Sequence, residues 1–353
     1  MMRDQILQRD NRLDFLRGIG LLCIVLAHVS PPKILLQIRN FDVPLMVLVA
    51  GAVYAISIQN KPNTGYFQYI KSRFMRLAVP TWIFLVMFFF VTLIASKLMN
   101  KPYPFSDEKM ISSFFFMRGI GYVWIIRVFL LVSLIAPFVK IFSVDNGFEK
   151  KKICAIIIAY LIYEVIAVQG ANAHENVLIN VILNEFVYMA IPYGCIFIFG
   201  MHLYSMSSRQ LIIAFTISLI VFVTYFSALY MINSAFIFTQ NHKYPPTAYY
   251  ISYAMLSAIA FFGIVKTNIY ARIPLKRHIA FFGRNSLWIY LWHIQILYFI
   301  MWTHIAFNFF VKYIIVLFVS ICIVMVQIIT LEKILVYFHS KRAKKYLKVI
   351  FSG

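Results

Sequence analysis

Charge is what this 353-residue chain has least of. Asp, Glu, Lys and Arg make up only 13% of it, where a soluble domain carries about 25%. Acidic residues are the scarcer sign, 12 against 33 Lys and Arg, which leaves a formal net charge of +21. Cysteine is sparse too: Cys23, Cys154, Cys195 and Cys322 all lie in apolar runs, with no CxxC or Cys/His spacing. Neither a disulfide framework nor a metal site is implied. There is no GxxxxGK[ST] phosphate loop, no internal repeat and no low-complexity linker. Finger, RNP-like and helix-turn-helix signals are missing, so the basic excess is not read as nucleic-acid binding. The opening MMRDQILQRDNR is mixed in charge, and LAHVSPP offers no small-x-small cleavage pattern. The first apolar run is therefore expected to remain as a membrane helix.

What is abundant is apolar surface, 62% of residues. That composition indicates an integral membrane protein, all-α and polytopic, because only helices satisfy their own backbone groups segment by segment in lipid. A spanning helix needs roughly 20 mostly apolar residues. Breaking the chain at charge clusters and Pro/Asn-rich stretches predicts ten, at 14–30, 41–58, 78–97, 121–142, 153–170, 187–204, 210–231, 249–266, 286–303 and 311–331. SSFFFMRG and ENVLINVILNEF are too short or too polar to span and are expected as outer amphipathic or re-entrant pieces. Alternate loops and both ends hold 24 Lys and Arg, the opposite loops eight, and Arg127 falls within a run. The positive-inside rule then puts both termini in the cytoplasm, with the chain a multi-pass protein of the cell inner membrane. No segment outside the runs is long enough for a soluble domain, so one domain over 1–353 is expected.

The first run, RLDFLRGIGLLCIVLAH, carries groups that lipid tolerates poorly. At 100° per residue Asp14, Arg17, Leu21 and His28 share one face, and Arg17 and His28 are separated by roughly 16 Å of axial rise. A polar line thus runs from the cytoplasmic entrance deep into the membrane, about the reach of a phosphopantetheine arm. Arg17 as a snorkelling anchor and His28 as an interfacial residue is the competing reading. Asp14 lies too far from His28 to orient it and is expected to pair with Arg17 at i+3.

Three further constellations carry polar groups. In YIKSRFMRLAVP, Arg73 and Arg76 stand at i, i+3 and can grip phosphate by charge-assisted hydrogen bonds, or simply obey the positive-inside rule. In YVWIIRVFLLVSLIAPF, Arg127 needs a partner or a wet cavity, and the acids available are Glu164, Glu175 and Glu185. A structural ion pair and a substrate contact both fit. In FFGRNSLWIYLWHIQIL, Ser286, Tyr290 and His293 fall at i, i+4, i+7 and line one helix face, as a polar lining or as mutually satisfied packing.

These segments, taken in order, resemble the acyltransferase-3 family of membrane acyltransferases. LDFLRGIGLLCIVLAH is similar to its first-helix element, Arg then ten residues then His, with Arg17 and His28 in place. SRFMRLAVP resembles its RxxR followed by a helix-opening Pro, FDVPLMVLVAGAVY its second helix, YVWIIRVFLL its Trp-containing helix and NSLWIYLWHI its late Ser, Tyr, His segment. The second helix departs, reading VLVAG where the family commonly has a Phe-rich run ending in Ser-Gly. The resemblance implies a ten-helix acyltransferase domain. It would pass an acyl group, most often acetyl, from cytosolic acyl-CoA to a sugar hydroxyl of a surface polysaccharide or glycolipid. Acyl-CoA is then a donor substrate and no cofactor is permanently bound. On this reading His28 is the general base, and Arg17, Arg73 and Arg76 hold the CoA phosphates. Asp14 supports Arg17, and Tyr290, His293 or Arg127 could donate to the carbonyl oxygen. The runner-up is a transporter or flippase, for which aligned intramembrane charges serve equally well, although no inverted repeat supports it. A third is a sensor or scaffold that kept the fold without catalysis.

Overall fold

The computed structural model describes residues 9–60, 64–139, 150–169 and 177–352. Among these the regular elements are all helical, with no strand. The elements in order are α1 (Asn11–His28), α2 (Lys33–Ile38), α3 (Asp42–Asn60), α4 (Tyr66–Leu98), α5 (Asp107–Phe114) and α6 (Trp124–Ile135). They continue with α7 (Lys150–Gln169), α8 (Val177–Ile182), α9 (Tyr188–Leu203), α10 (Ser208–Asn233) and α11 (Ala248–Lys266). The last are α12 (Ile269–Arg272), α13 (Lys276–Arg284), α14 (Ser286–Thr303), α15 (Phe309–Tyr337) and α16 (Lys341–Phe351). Short polar side chains start many of them by accepting the orphan N–H groups of the first turn. Asp10 caps α1, Ser106 caps α5, Asn308 caps α15 and Ser340 caps α16. Ser207 opens α10 through a reciprocal box with Gln210.

Among the described residues, six helices are long and apolar enough to cross a membrane: Lys33–Asn60, Tyr66–Leu98, Ile179–Leu203, Ser208–Asn233, Ala248–Lys266 and Phe309–Tyr337. The other four expected spans form helices but meet that description less well. α1 carries Arg12, Asp14 and Arg17, α14 carries His293 and Gln295, and the apolar stretch of α7 is only Cys154–Ala167. α6 stops at Ile135 instead of running to 142, next to Pro137, which has no N–H to give the helical ladder. Two boundaries differ further. α4 begins at Tyr66, a dozen residues before the expected 78, so Arg73 and Arg76 sit on its first turns. ENVLINVILNEF is no separate outer piece from Val177 onward: α8 passes through a π-helical turn, Leu183–Val187, straight into α9. Its Glu175, like Arg3, Lys61 and Lys140, lies outside the described residues.

Backbone contact at glycine holds the centre together. α1 packs most heavily on α13 and α3, and α3 on α9. A Cβ on Gly283 would run into the carbonyl of Asp14, and one on Gly18 into the carbonyl of Ile279. The same reciprocity joins Gly51 to Phe197 and Gly200 to Leu48 across α3 and α9. Small residues at such crossings let helix backbones touch, which is how helices associate where lipid is as apolar as leucine. α10 lies at the rim, with just 6% of its apolar window buried, and α3 at the centre, with 72%. Asn285 links α13 to α14 with little break, since its N–H reaches the Phe281 carbonyl and its own carbonyl accepts from Ile289.

Candidate active site

At the Arg17 end of α1 the bundle encloses a cavity of about 150 Å³. Five guanidinium side chains line it, Arg9, Arg17, Arg73, Arg76 and Arg284, together with Tyr69, Ser286 and Tyr290. Asp14 is the one carboxylate that meets this cluster among the described ion pairs: it takes Arg9 through both oxygens at 2.7 and 3.0 Å and Arg17 at 3.6 Å. Its expected partner is therefore present but second to Arg9. Arg73 lies over the Tyr69 ring at 5.0 Å, which leaves its charge facing the cavity. Such an excess of positive charge in a space walled by apolar helices has the chemistry to hold a polyanion. Outside the membrane-crossing part, Asp10 anchors the start of α1. Burial pushes its carboxyl up, but hydrogen bonds from Arg12 and Tyr204 outweigh burial and hold it below the ordinary carboxylate value.

Eleven residues further along α1, His28 lines a second cavity of about 500 Å³ with Tyr122, Tyr298, Arg39, Asp42 and Lys243. The two cavities share Ile24, Ile125 and Tyr290 in their walls. Two imidazoles and two phenols meet here. His28 Nδ1 lies 2.9 Å from His293 Nε2, and the two rings meet edge to edge, their planes 11° apart and their centroids separated by 5.1 Å. The Tyr122 ring stands edge-on to His28 at 4.7 Å. His293 Nδ1 in turn contacts the Tyr290 carbonyl, and the Tyr290 hydroxyl donates to the Tyr122 carbonyl at 2.5 Å.

These bonds assign the protons. A carbonyl oxygen can only accept, so His293 carries its hydrogen on Nδ1, and in the neutral ring Nε2 is an acceptor. His28 must then donate from Nδ1, which leaves its Nε2 unprotonated. A second ring thus fixes the tautomer of the first, the service a carboxylate performs elsewhere. Both nitrogens of His293 are engaged, so it has no N–H to offer a substrate carbonyl, and Tyr290 has committed its hydroxyl to Tyr122. Those two of the three expected donors are spoken for.

An acyltransferase-domain family model, Acyl_transf_3, matches residues 10–329. The chain belongs to the acyltransferase-3 family. No curated protein and no solved structure matches it. Membership makes this a membrane acyltransferase in the broad sense, and the helices carrying the two cavities all lie within the matched region.

The third expected donor of this acyltransferase domain sits elsewhere. Arg127 is buried in an ion pair with Glu185, one of the three acids considered for it, and lines a neighbouring cavity with Arg118, Trp124 and Tyr244. Glu164 is occupied otherwise, accepting from the Ala248 N–H at 3.0 Å and the Tyr160 hydroxyl at 3.2 Å. Sequence reasoning brought Ser286, Tyr290, His293, Arg17, Arg73, Arg76 and His28 to attention, and all seven line the two cavities or contact a residue that does. It missed Tyr122, Arg39, Asp42 and Lys243. Arg39 and Asp42 stand at i, i+3 in RNFD, a spacing that signals pairing, whereas Lys243 arrives from 201 residues away with no local signal.

Proposed function

We propose that this acyltransferase moves an acetyl group from cytosolic acetyl-CoA to a sugar hydroxyl of a cell-surface polysaccharide or glycolipid. The carrying observation is that the arginine-lined cavity and the His28 cavity adjoin, sharing Ile24, Ile125 and Tyr290. On this reading ten helices cross the inner membrane with both termini cytoplasmic, the arginine cavity faces the cytoplasm, and the His28 cavity faces outward. The phosphates of CoA rest on Arg17, Arg73 and Arg76, with Asp14, itself held by Arg9, steadying Arg17. The pantetheine arm covers the roughly 16 Å to His28.

A thioester is already activated, so what remains is to hold two reactants together and remove a proton from a poor nucleophile. His28 Nε2 takes the hydroxyl proton as the sugar oxygen bonds to the thioester carbon. The carbon–sulfur bond then breaks, and the proton passes from His28 to the departing thiolate, giving the acetyl ester and free CoA. His293 is a positioning residue that holds His28 in the proton-accepting tautomer. On this reading the hydroxyl of Tyr122, whose ring stands edge-on to His28, donates to the developing oxyanion. Water is kept from the thioester by the aromatic wall of Tyr122, Tyr290 and Tyr298.

Purified protein incubated with labelled acetyl-CoA and a panel of saccharides tests this directly. Transfer product and stoichiometric free CoA are expected, with His28→Ala lowering the rate at least about 100-fold, the scale of general-base catalysis. A transporter would give neither product. Full activity in folded His28→Ala would remove the base from the mechanism.

A further inference from the structure

The outward cavity beside His28 holds more positive charge than its own carboxylate neutralises. Arg39 and Lys243 are both almost wholly buried, 4% and 3% exposed, yet they face a single acid, Asp42. Asp42 is already well supplied: one oxygen accepts from Arg39 at 2.6 Å, and the other from the Val43 N–H at 2.8 Å and from Lys243 at 3.4 Å. The cations are less well served. Lys243 has two acceptors, both at 3.4 Å, the second being the Asn40 side-chain oxygen. Arg39 reaches Gln240 at 3.2 Å through one nitrogen, while its Nε is buried without a partner. Asn40 turns its amide on Thr239 at 2.9 Å, so the whole group is held rigidly by α2, α3 and the 239–243 segment. In the adjoining cavity, by contrast, buried Arg127 has Glu185 as its partner and the second cation there, Arg118, is exposed to solvent.

Burying an uncompensated charge is costly, and a protein that keeps one in a cavity of this size gains when an oxyanion completes it. We infer that the acceptor is an acidic saccharide, whose carboxylate or phosphate is held by Arg39 and Lys243 while a neighbouring hydroxyl is presented to His28. The inference rests on the acyltransferase reading for the reaction but on the Arg39–Asp42–Lys243 group alone for the anion. A built anion subsite also explains why Arg39 is worth burying: with Asp42 alone it would be a neutral pair, and the second cation is what makes the site selective.

The test uses the full-length protein in phosphatidylcholine nanodiscs, with acetyl-CoA as donor and glucose, glucuronate and glucose 1-phosphate as matched acceptors. Transfer to at least one acidic acceptor is expected to exceed transfer to glucose by about tenfold or more in kcat/KM, and labelled acid should bind in the absence of acetyl-CoA. Two variants bring the cavity to neutrality by different routes: Lys243→Met removes the surplus cation, and Gln240→Glu sets a carboxylate beside Arg39 at nearly constant shape. Size exclusion and thermal melting establish that each is folded, and in either the acidic-to-neutral ratio should fall to about one. A ratio near one in the unaltered protein, or one that persists in both folded variants, overturns the inference. So does suppression of acid binding only when anionic lipid is added, which would assign the subsite to a headgroup. If acid binds and both variants lose it while no acceptor is ever acetylated, the anion subsite stands and the acyltransferase reading falls. Transfer without charge preference does the reverse, keeping the acyltransferase reading and removing the anion subsite.

Discussion

Replacing His293 with phenylalanine removes the acceptor for His28 Nδ1 while keeping an aromatic ring in a site that is 0% exposed. The buried N–H then has no partner, a penalty of about 1–3 kcal/mol, and the ring can recover by moving its proton to Nε2, the nitrogen that must be free to act as base. With about 1.36 kcal/mol to a factor of ten in rate, kcat should fall by about tenfold to 100-fold. KM for acetyl-CoA should hold, because the arginine cavity proposed to take the phosphates lies roughly 16 Å away along α1. His293→Gln supplies an amide oxygen near the position of Nε2 and should recover a substantial part of kcat, which a purely structural role would not predict. Initial rates of CoA release at saturating donor, over a range of acceptor concentrations, separate the two parameters. A folded His293→Phe protein with kcat within twofold of the original, or a loss confined to KM, would refute the proton assignment.

Charge in the arginine cavity should act on donor affinity: Arg73→Gln with Arg76→Gln is expected to raise KM for acetyl-CoA by about tenfold or more while leaving saturated turnover within a few-fold, as loss of uniform binding requires. An unchanged dissociation constant in equilibrium dialysis would return the pair to a topological role. Gly283→Val should disrupt the α1–α13 contact, because the new side chain meets the Asp14 carbonyl instead of a yielding side chain; a cost above about 3 kcal/mol is expected, read as lost thermal stability in detergent. Asp10, held below the ordinary carboxylate value when folded, binds protons less readily there than in the unfolded chain, so it stabilises above about pH 4 and that contribution is lost as pH falls through its folded value. Asp10→Asn should accordingly flatten the acid limb of melting temperature against pH, and an unchanged limb would count against the Arg12 and Tyr204 bonds.

How much of this could be seen beforehand depends on the range of the interaction. The apolar runs were legible because membrane helices satisfy their backbones locally, and α3, α10, α11 and α14 begin and end within three residues of the boundaries expected from composition. The polar faces of α1 and α14 were legible from helical period alone. That His28 and His293 meet was not, since period says which residues share a face and nothing about which face opposes it. The shortening of α6 was in principle readable from Pro137, but its apolar neighbours outweighed the proline. The π-helical turn at Leu183–Val187 has no simple sequence signal, and without it Glu185 is expected in an outer amphipathic or re-entrant piece instead of on a helix continuous with α9 and paired with Arg127. Lys243 was counted as one of eight outward charges, when burial beside Asp42 gives it a different meaning.

The register of the two histidines follows from the glycines. Gly18 and Gly283 face one another where α1 touches α13, and each histidine lies ten residues beyond its glycine, His28 after Gly18 and His293 after Gly283. Because α13 runs into α14 with little break, both ladders rise by roughly 15 Å over those ten residues and arrive at the same depth. A backbone contact between helices therefore fixes the distance between His28, the proposed base, and His293, the ring proposed to orient it. One residue added between Gly283 and His293 would swing the second imidazole by about 100° and carry it about 1.5 Å along the axis, away from His28. The same geometry sets Ser286 and Tyr290 along the wall between the arginine cavity and the histidines. The polar row on α14 is thus continuous with the path a thioester would take, and its spacing is explained by that path as well as by packing.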